Sequence, residues 1–230
     1  MRVAEGEAEA EGAEATVNVD VDATAGDDLT RGQRREEGLR WFGDFFFRPF
    51  LWVFGVSGLS PNVITILGMG CAIVCGYFLA VNNVPLAAVF FALSGVLDLV
   101  DGYVAKKLDR VTVFGSFLDS FSDRVSDAAI YLGIAILYLR SGQGIYVGLA
   151  FVLLVVSFLI SYTRSKAESL GVTCKAGLMS RAPRFLAVGI GLFFNGLSPW
   201  VLRVVLWAVA VLMIETLVAR LVEVWKALDR

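Results

Sequence analysis

The sequence predicts an all-α integral membrane protein, with six transmembrane helices preceded by an N-terminal amphipathic helix in the bilayer interface. Three observations predict it. Of 230 residues, 57% are apolar and only 18% charged, with a mean hydropathy of +0.70, whereas a soluble domain carries about a quarter charged residues. Apolar stretches recur over residues 62–81, 84–104, 116–139, 144–163, 183–197 and 200–222. The Lys and Arg residues collect in alternate connections between those stretches.

The elements follow in chain order. Residues 1–48 hold 12 acids and 6 Arg, and the remainder holds 10 acids and 14 bases. An acidic tail is thus joined to a basic, hydrophobic body. Residues 1–38 are read as a disordered cytoplasmic tail, because the Glu, Asp, Ala and Gly that dominate it bury too little apolar surface to offset ordering entropy. Residues 39–56 are read as the interfacial helix: Arg40, Asp44 and Arg48 recur every fourth residue among Trp41, Phe42, Phe45, Phe46, Phe50 and Trp52. Residues 57–230 form the membrane domain. Most of its apolar stretches reach the ~20 residues needed to span a bilayer; the fifth is short, and Pro199 separates it from the sixth. Loops 105–115 and 164–182 and both terminal flanks carry nearly all the basic residues. The positive-inside rule then puts both termini on the cytoplasmic side of a multi-pass cell-membrane protein.

Residue types absent from the chain narrow the chemistry. There is no His, so Ser-His-Asp and Cys-His mechanisms are excluded. Cys71, Cys75 and Cys174 cannot pair completely and make a poor zinc site, so they read as small packing residues. No basic surface suited to nucleic acid is expected. Acid–base and metal work fall to carboxylates.

Carboxylates are present where lipid should exclude them. Asp98, Asp101, Asp119, Asp123 and Asp127 lie in spans two and three, although each intramembrane acid costs ~2.5–3.5 kcal/mol at the bilayer centre. Asp98 and Asp101 are three residues apart, and Asp119, Asp123 and Asp127 are four apart, so each set lies along one helix face. The turn between the spans brings the faces together at the cytoplasmic mouth. Carboxylates that close require cations. Hard oxygen ligands favour Mg²⁺, Mn²⁺ or Ca²⁺, and two-metal sites suit in-line phosphoryl displacement. Two other readings stand beside this one: an ion-pair network with Lys106, Lys107, Arg110 and Arg124, and an ion pathway through a transporter.

Residues 98–123 read D-LV-DG-YV-AK-KLDRVTVF-G-SFL-D-SFS-D. This string closely resembles the signature of the CDP-alcohol phosphatidyltransferase family, D-x2-D-G-x2-A-R-x8-G-x3-D-x3-D. Its spacing is intact, and it departs only at Lys106, where the family has Arg. The resemblance implies that Asp98, Asp101 and Asp119 hold a pair of divalent cations (Mg²⁺ or Mn²⁺). It makes Asp123 both a metal-site residue and the general base. Gly102, Ala105 and Gly115 become small positions where a nucleotide approaches the backbone, and Lys106 keeps the family's charge without its guanidinium fork. The segment Pro61-Asn62-Val63-Ile64-Thr65 is similar to the family's start of span one, which gives Asn62 and Thr65 to the nucleotide. Their alternative role is helix capping.

The second basic loop bears on the acceptor. Its pattern Tyr162-x-Arg164-x-Lys166-Ala167-Glu168-x-x-Gly171, followed by Gly177, Arg181 and Arg184, resembles the inositol-phosphate-using branch of the family. Ala182-Pro183 replaces the charged residue that the branch often has there. The implied acceptor is inositol 1-phosphate, its dianion met by Arg164, Lys175, Arg181 and Arg184. Glycerol 3-phosphate, and hence phosphatidylglycerophosphate synthesis, is the alternative. The expected partners are the membrane, a CDP-linked lipid, a phosphorylated polyol and a second copy of the chain in a homodimer.

Overall fold

Pro61 has the fixed φ that suits a first helical turn and lacks the N–H that would go unpaired there, and it opens the first helix. The computed structural model describes residues 60–107, 112–174 and 176–229, with Lys106 described in its backbone alone. The expected acidic tail and interfacial helix lie outside these residues. Among the described residues there are six helices and no strand: α1 (Pro61–Ala80), α2 (Val84–Lys107), α3 (Val113–Arg140), α4 (Gly144–Ser169), α5 (Arg181–Phe194) and α6 (Pro199–Leu228). The turn after α1 puts Asn82 at φ 62°, a left-handed conformation that asparagine tolerates better than most residues. Gly142 makes the matching turn between α3 and α4 at φ 69°.

Four helices, α1, α2, α4 and α6, are long and apolar enough to cross a membrane. The other two differ for separate reasons. α3 has 28 residues, but Asp119, Asp123, Arg124 and Asp127 crowd the stretch up to its middle. α5 has 14 residues, about 21 Å of helix at 1.5 Å per residue, which is less than the ~30 Å hydrocarbon core.

Each helix packs against two others, and the contacts close into a ring in the order α1, α2, α5, α6, α4, α3. Ala72, Cys75, Leu79, Ile134, Leu153, Leu206 and Met213 fill its interior with no exposed surface. Phe193, Trp200, Val204, Trp207 and Val211 face outward and are largely exposed, an apolar exterior that water would not favour and lipid does. α1 and α3 pack backbone to backbone: a Cβ on Gly76 would lie 2.3 Å from the Ala129 carbonyl oxygen, and one on Gly133 2.6 Å from the Gly76 carbonyl oxygen.

Successive helices run in alternating directions, so the starts of α1, α3 and α5 meet the ends of α2, α4 and α6. Nearly every functional residue expected from the sequence sits at that one end.

Candidate active site

The end of α2 supplies Asp98 and Asp101, and the start of α3 supplies Asp119 and Asp123. Thr112 caps α3, its hydroxyl accepting from the Gly115 N–H at 2.9 Å. One carboxylate oxygen each from Asp98, Asp119 and Asp123 lies within 4.8 Å of the others. An all-carboxylate set at that spacing fits hard divalent cations. Asp101 is the most buried of the motif acids, and its Oδ2 accepts the Thr65 hydroxyl at 2.6 Å. Thr65 therefore orients an acid, and the capping alternative does not describe its contact.

Arg181, the first residue of α5, reaches across the ring to these acids. Its Nη1 donates to Asp98 Oδ2 at 2.7 Å, and its Nη2 lies 2.7 Å from Asp123 Oδ1. The Asp123 oxygen has no well-aligned hydrogen bond despite being buried. A buried carboxylate oxygen faced by the Arg181 cation rather than by an aligned hydrogen-bond donor suits ionic coordination, and with the Asp98 and Asp119 oxygens beside it the residues present fit a metal site. One turn further in, Arg184 Nη2 donates to Asp127 Oδ2 at 2.5 Å, with the Arg184 side chain 3% exposed. The acids thus pair with arginines from α5. Arg124 instead donates to the Ser120 carbonyl of its own helix.

Two cavities open here. The first, of about 340 Å³, is lined by Asn62, Thr65, Asp98, Asp101, Gly102, Ala105, Gly115 and Asp119 among others. That set holds the motif residues together with the expected nucleotide positions on α1. The two glycines differ in what they spare. A Cβ on Gly102 would meet nothing within 4 Å and would project into the cavity, whereas on Gly115 it would lie 2.9 Å from Thr112 Oγ1 and 3.2 Å from Asn62 Oδ1. Gly102 leaves room for a ligand, and Gly115 leaves room for the protein's own cap.

The second cavity, of about 820 Å³, is lined by Asp119, Asp123, Arg124, Arg164, Arg181, Arg184 and Arg220 among others. Arg164 is exposed and pairs with Glu168 at 2.8 Å, one turn along α4. Arg184 touches the cavity from below, held by Asp127. Lys175 and the Lys106 side chain lie outside the described residues. Ser116, Asp119 and Arg181 line both cavities and form the wall between them.

Arg220 was not anticipated. It is 6% exposed on α6, and its guanidinium donates to the Ile160 carbonyl at 2.8 Å and the Ala176 carbonyl at 3.2 Å. The sequence did carry a signal: an arginine inside the apolar run 217–222, in a span where charge defaults to function.

A family model for CDP-alcohol phosphatidyltransferase matches residues 58–224. The chain belongs to that family. Among its relatives is the archaetidylinositol phosphate synthase of Methanothermobacter thermautotrophicus, 35% identical over 175 residues, covering 74% of this chain and 85% of that one. The phosphatidylinositol phosphate synthase of Corynebacterium glutamicum is 32% identical over 173 residues, covering 74% and 79%. The solved Mycobacterium tuberculosis phosphatidylinositol phosphate synthase with CDP-DAG bound superposes with a TM-score of 0.72 at 28% identity, over 77% of this chain and 92% of that one. The same enzyme in complex with manganese and citrate gives 0.70. This phosphatidyltransferase therefore shares both sequence and fold with enzymes of inositol phospholipid synthesis.

Proposed function

We propose that this phosphatidyltransferase moves a diradylglycerol-phosphate group from a CDP-linked lipid to a hydroxyl of inositol 1-phosphate and releases CMP. The observation that carries the reading is the pair of adjoining cavities. One is lined by the motif acids with Gly102 and Ala105, the other by five arginines, and Asp119 and Arg181 stand between them. The names of the relatives support the choice of acceptor.

Each residue then has a task. Asn62, Thr65, Gly102, Ala105 and Gly115 surround the cytidine diphosphate. Asp98, Asp101, Asp119 and Asp123 would hold two divalent cations, Mg²⁺ or Mn²⁺, which when bound draw charge from the diphosphate and stabilise the departing CMP. Asp123 takes the proton of the attacking hydroxyl. As that oxygen bonds to the lipid-side phosphorus, the bridging P–O bond breaks and CMP leaves with the bridging oxygen. Arg164, Arg181, Arg220 and Lys175 bind the acceptor phosphate, with Arg184 beneath them. We also take α3 and α5 as crossing the bilayer, giving six crossings with both termini and the site mouth cytoplasmic, and the working assembly as a homodimer.

The experiment is CMP release from CDP-diradylglycerol with inositol 1-phosphate, glycerol 3-phosphate or serine as acceptor. Turnover with inositol 1-phosphate well above the other two is expected. Charge-assisted bonds to phosphate are worth about 1.5–3 kcal/mol, so Arg164→Ala raises the acceptor KM roughly 10- to 150-fold and leaves CDP-lipid affinity unchanged. A preference for glycerol 3-phosphate would overturn the acceptor and leave the family standing.

A further inference from the structure

Between α4 and α5 the described residues, 170–174 and 176–180, have no regular structure. The second half of this segment is held by one face of α6. Thr216, Arg220 and Glu223 recur at helical spacing, and each bonds to the backbone of that segment. The Thr216 hydroxyl, fully buried, donates to the Leu212 carbonyl at 2.8 Å and accepts from the Met179 N–H at 2.9 Å. Arg220 Nε donates to the Ala176 carbonyl, and Glu223 Oε2 accepts from the Ala176 N–H at 2.9 Å. Gly177 sits between these anchors at φ +98°, so close to Thr216 that a Cβ there would collide with the threonine side chain. No other residue type suits that conformation and that gap together.

Two residues after Met179 comes Arg181, the arginine that spans Asp98 and Asp123. α5 has only 14 residues and packs against α2 and α6 alone. Its N-cap, Ser180, makes no side-chain capping bond. The Met179 anchor is therefore what fixes the start of α5 from the loop side.

We propose that Thr216, with Glu223 beside it, is a latch that sets the position of Arg181 at the wall between the two cavities. Thr216 is a positioning residue for the acceptor side of the reaction, touching neither substrate. Replacing its hydroxyl leaves the buried Met179 N–H without an acceptor, and the segment lifts from α6. Displacements of about 1 Å at a reacting centre cost up to 10²-fold.

Cys174 offers a readout that does not depend on turnover. It lies in the latched segment, 3% exposed, and burial together with the neighbouring Glu223 carboxylate raises its thiol pKa. It should resist a polar maleimide for as long as the latch holds. The test compares Thr216→Val with Thr216→Ser in the full chain, following Cys174 alkylation and acceptor kinetics, with Cys174→Ser identifying the labelled site. For Thr216→Val we expect alkylation about 10-fold faster and an acceptor KM raised about 10-fold, with the CDP-lipid KM within about twofold. Thr216→Ser should restore both to wild type. Thr216→Ala, which removes the same hydroxyl with less bulk, repeats the experiment should Thr216→Val fail to fold. Unchanged labelling overturns the latch, and faster labelling with unchanged acceptor KM overturns its positioning role. The kinetic arm rests on the proposed acceptor. A wild type that ignores inositol 1-phosphate defeats that reading, while the labelling arm still reports on the latch.

Discussion

α3 is held on its two sides by opposite means. Toward α1 it is packed backbone to backbone, Gly133 against Gly76, with Ala72, Cys75 and Leu79 closing the contact. Toward α5 the two backbones stand further apart, and the gap is crossed by Arg181 to Asp123 and Arg184 to Asp127. The first contact is apolar and leaves no space. The second leaves a cavity and spans it with groups that can exchange partners. Where nothing has to enter, glycine lets helices touch. Where a charged ligand enters, the same helix is tied by charges that the ligand can replace.

The largest effects are expected where the ion-paired side does chemistry. Asp98→Asn and Asp119→Asn each remove an anionic oxygen from the converging set, so turnover should fall to background and metal binding weaken, read by CMP release and metal titration. Asp123→Asn should keep CDP-lipid binding yet lose about 10²–10⁴-fold in kcat. If it fails to bind nucleotide and metal, Asp123 is a ligand and the base lies elsewhere.

Breaking the deeper pair tests whether charge is needed for the fold as well. Arg184→Met strands Asp127, 14% exposed, and an uncompensated buried charge costs about 3–5 kcal/mol. Thermal melting in detergent should show that loss, and Arg184→Met with Asp127→Leu should recover most of it without recovering activity. Equal melting of the single and double variants would mean that packing against α2 and α6 alone holds α5.

The smallest effect belongs to the packed side. A Cβ at Gly133 would lie 2.6 Å from the Gly76 oxygen and 2.8 Å from its Cα, so Gly133→Ala must part α1 from α3. Overpacking of this kind costs about 1–3 kcal/mol, and the variant should melt earlier while keeping its acceptor KM. A raised KM would show that the two sides of α3 are not independent.

These two sides were not equally legible in the sequence. The motif acids Asp98 to Asp123 lie within 26 residues of one another, close enough for helical spacing alone to bring them together. The neighbouring cavity gathers Asn62, Thr65, Gly102, Ala105 and Gly115, the positions read from the sequence as facing a nucleotide. Their cationic partners were harder to read. The loop bases beside the motif were the natural candidates, yet Arg181 reaches Asp98 from 83 positions away. Such a pairing depends on which helices are neighbours in the ring, and no local pattern encodes ring order. Arg220 was hidden for the same reason. Its partners, Ile160 and Ala176, belong to a helix and a loop that meet α6 only in the folded chain.

The ring order also bears on how the protein is made. α6 is synthesised after the other five helices, and it is the neighbour of both α4 and α5. Until it inserts, α4 and α5 each lack one of their two partners, and residues 176–179 have nothing to bond. All the motif acids are already synthesised by then, carried on α2 and α3 with no arginine fixed opposite them. The nascent protein thus carries its signature early and acquires a working centre only when a helix without any signature residue arrives. A ribosome stalled before Pro199 would leave a complete motif and an incomplete enzyme.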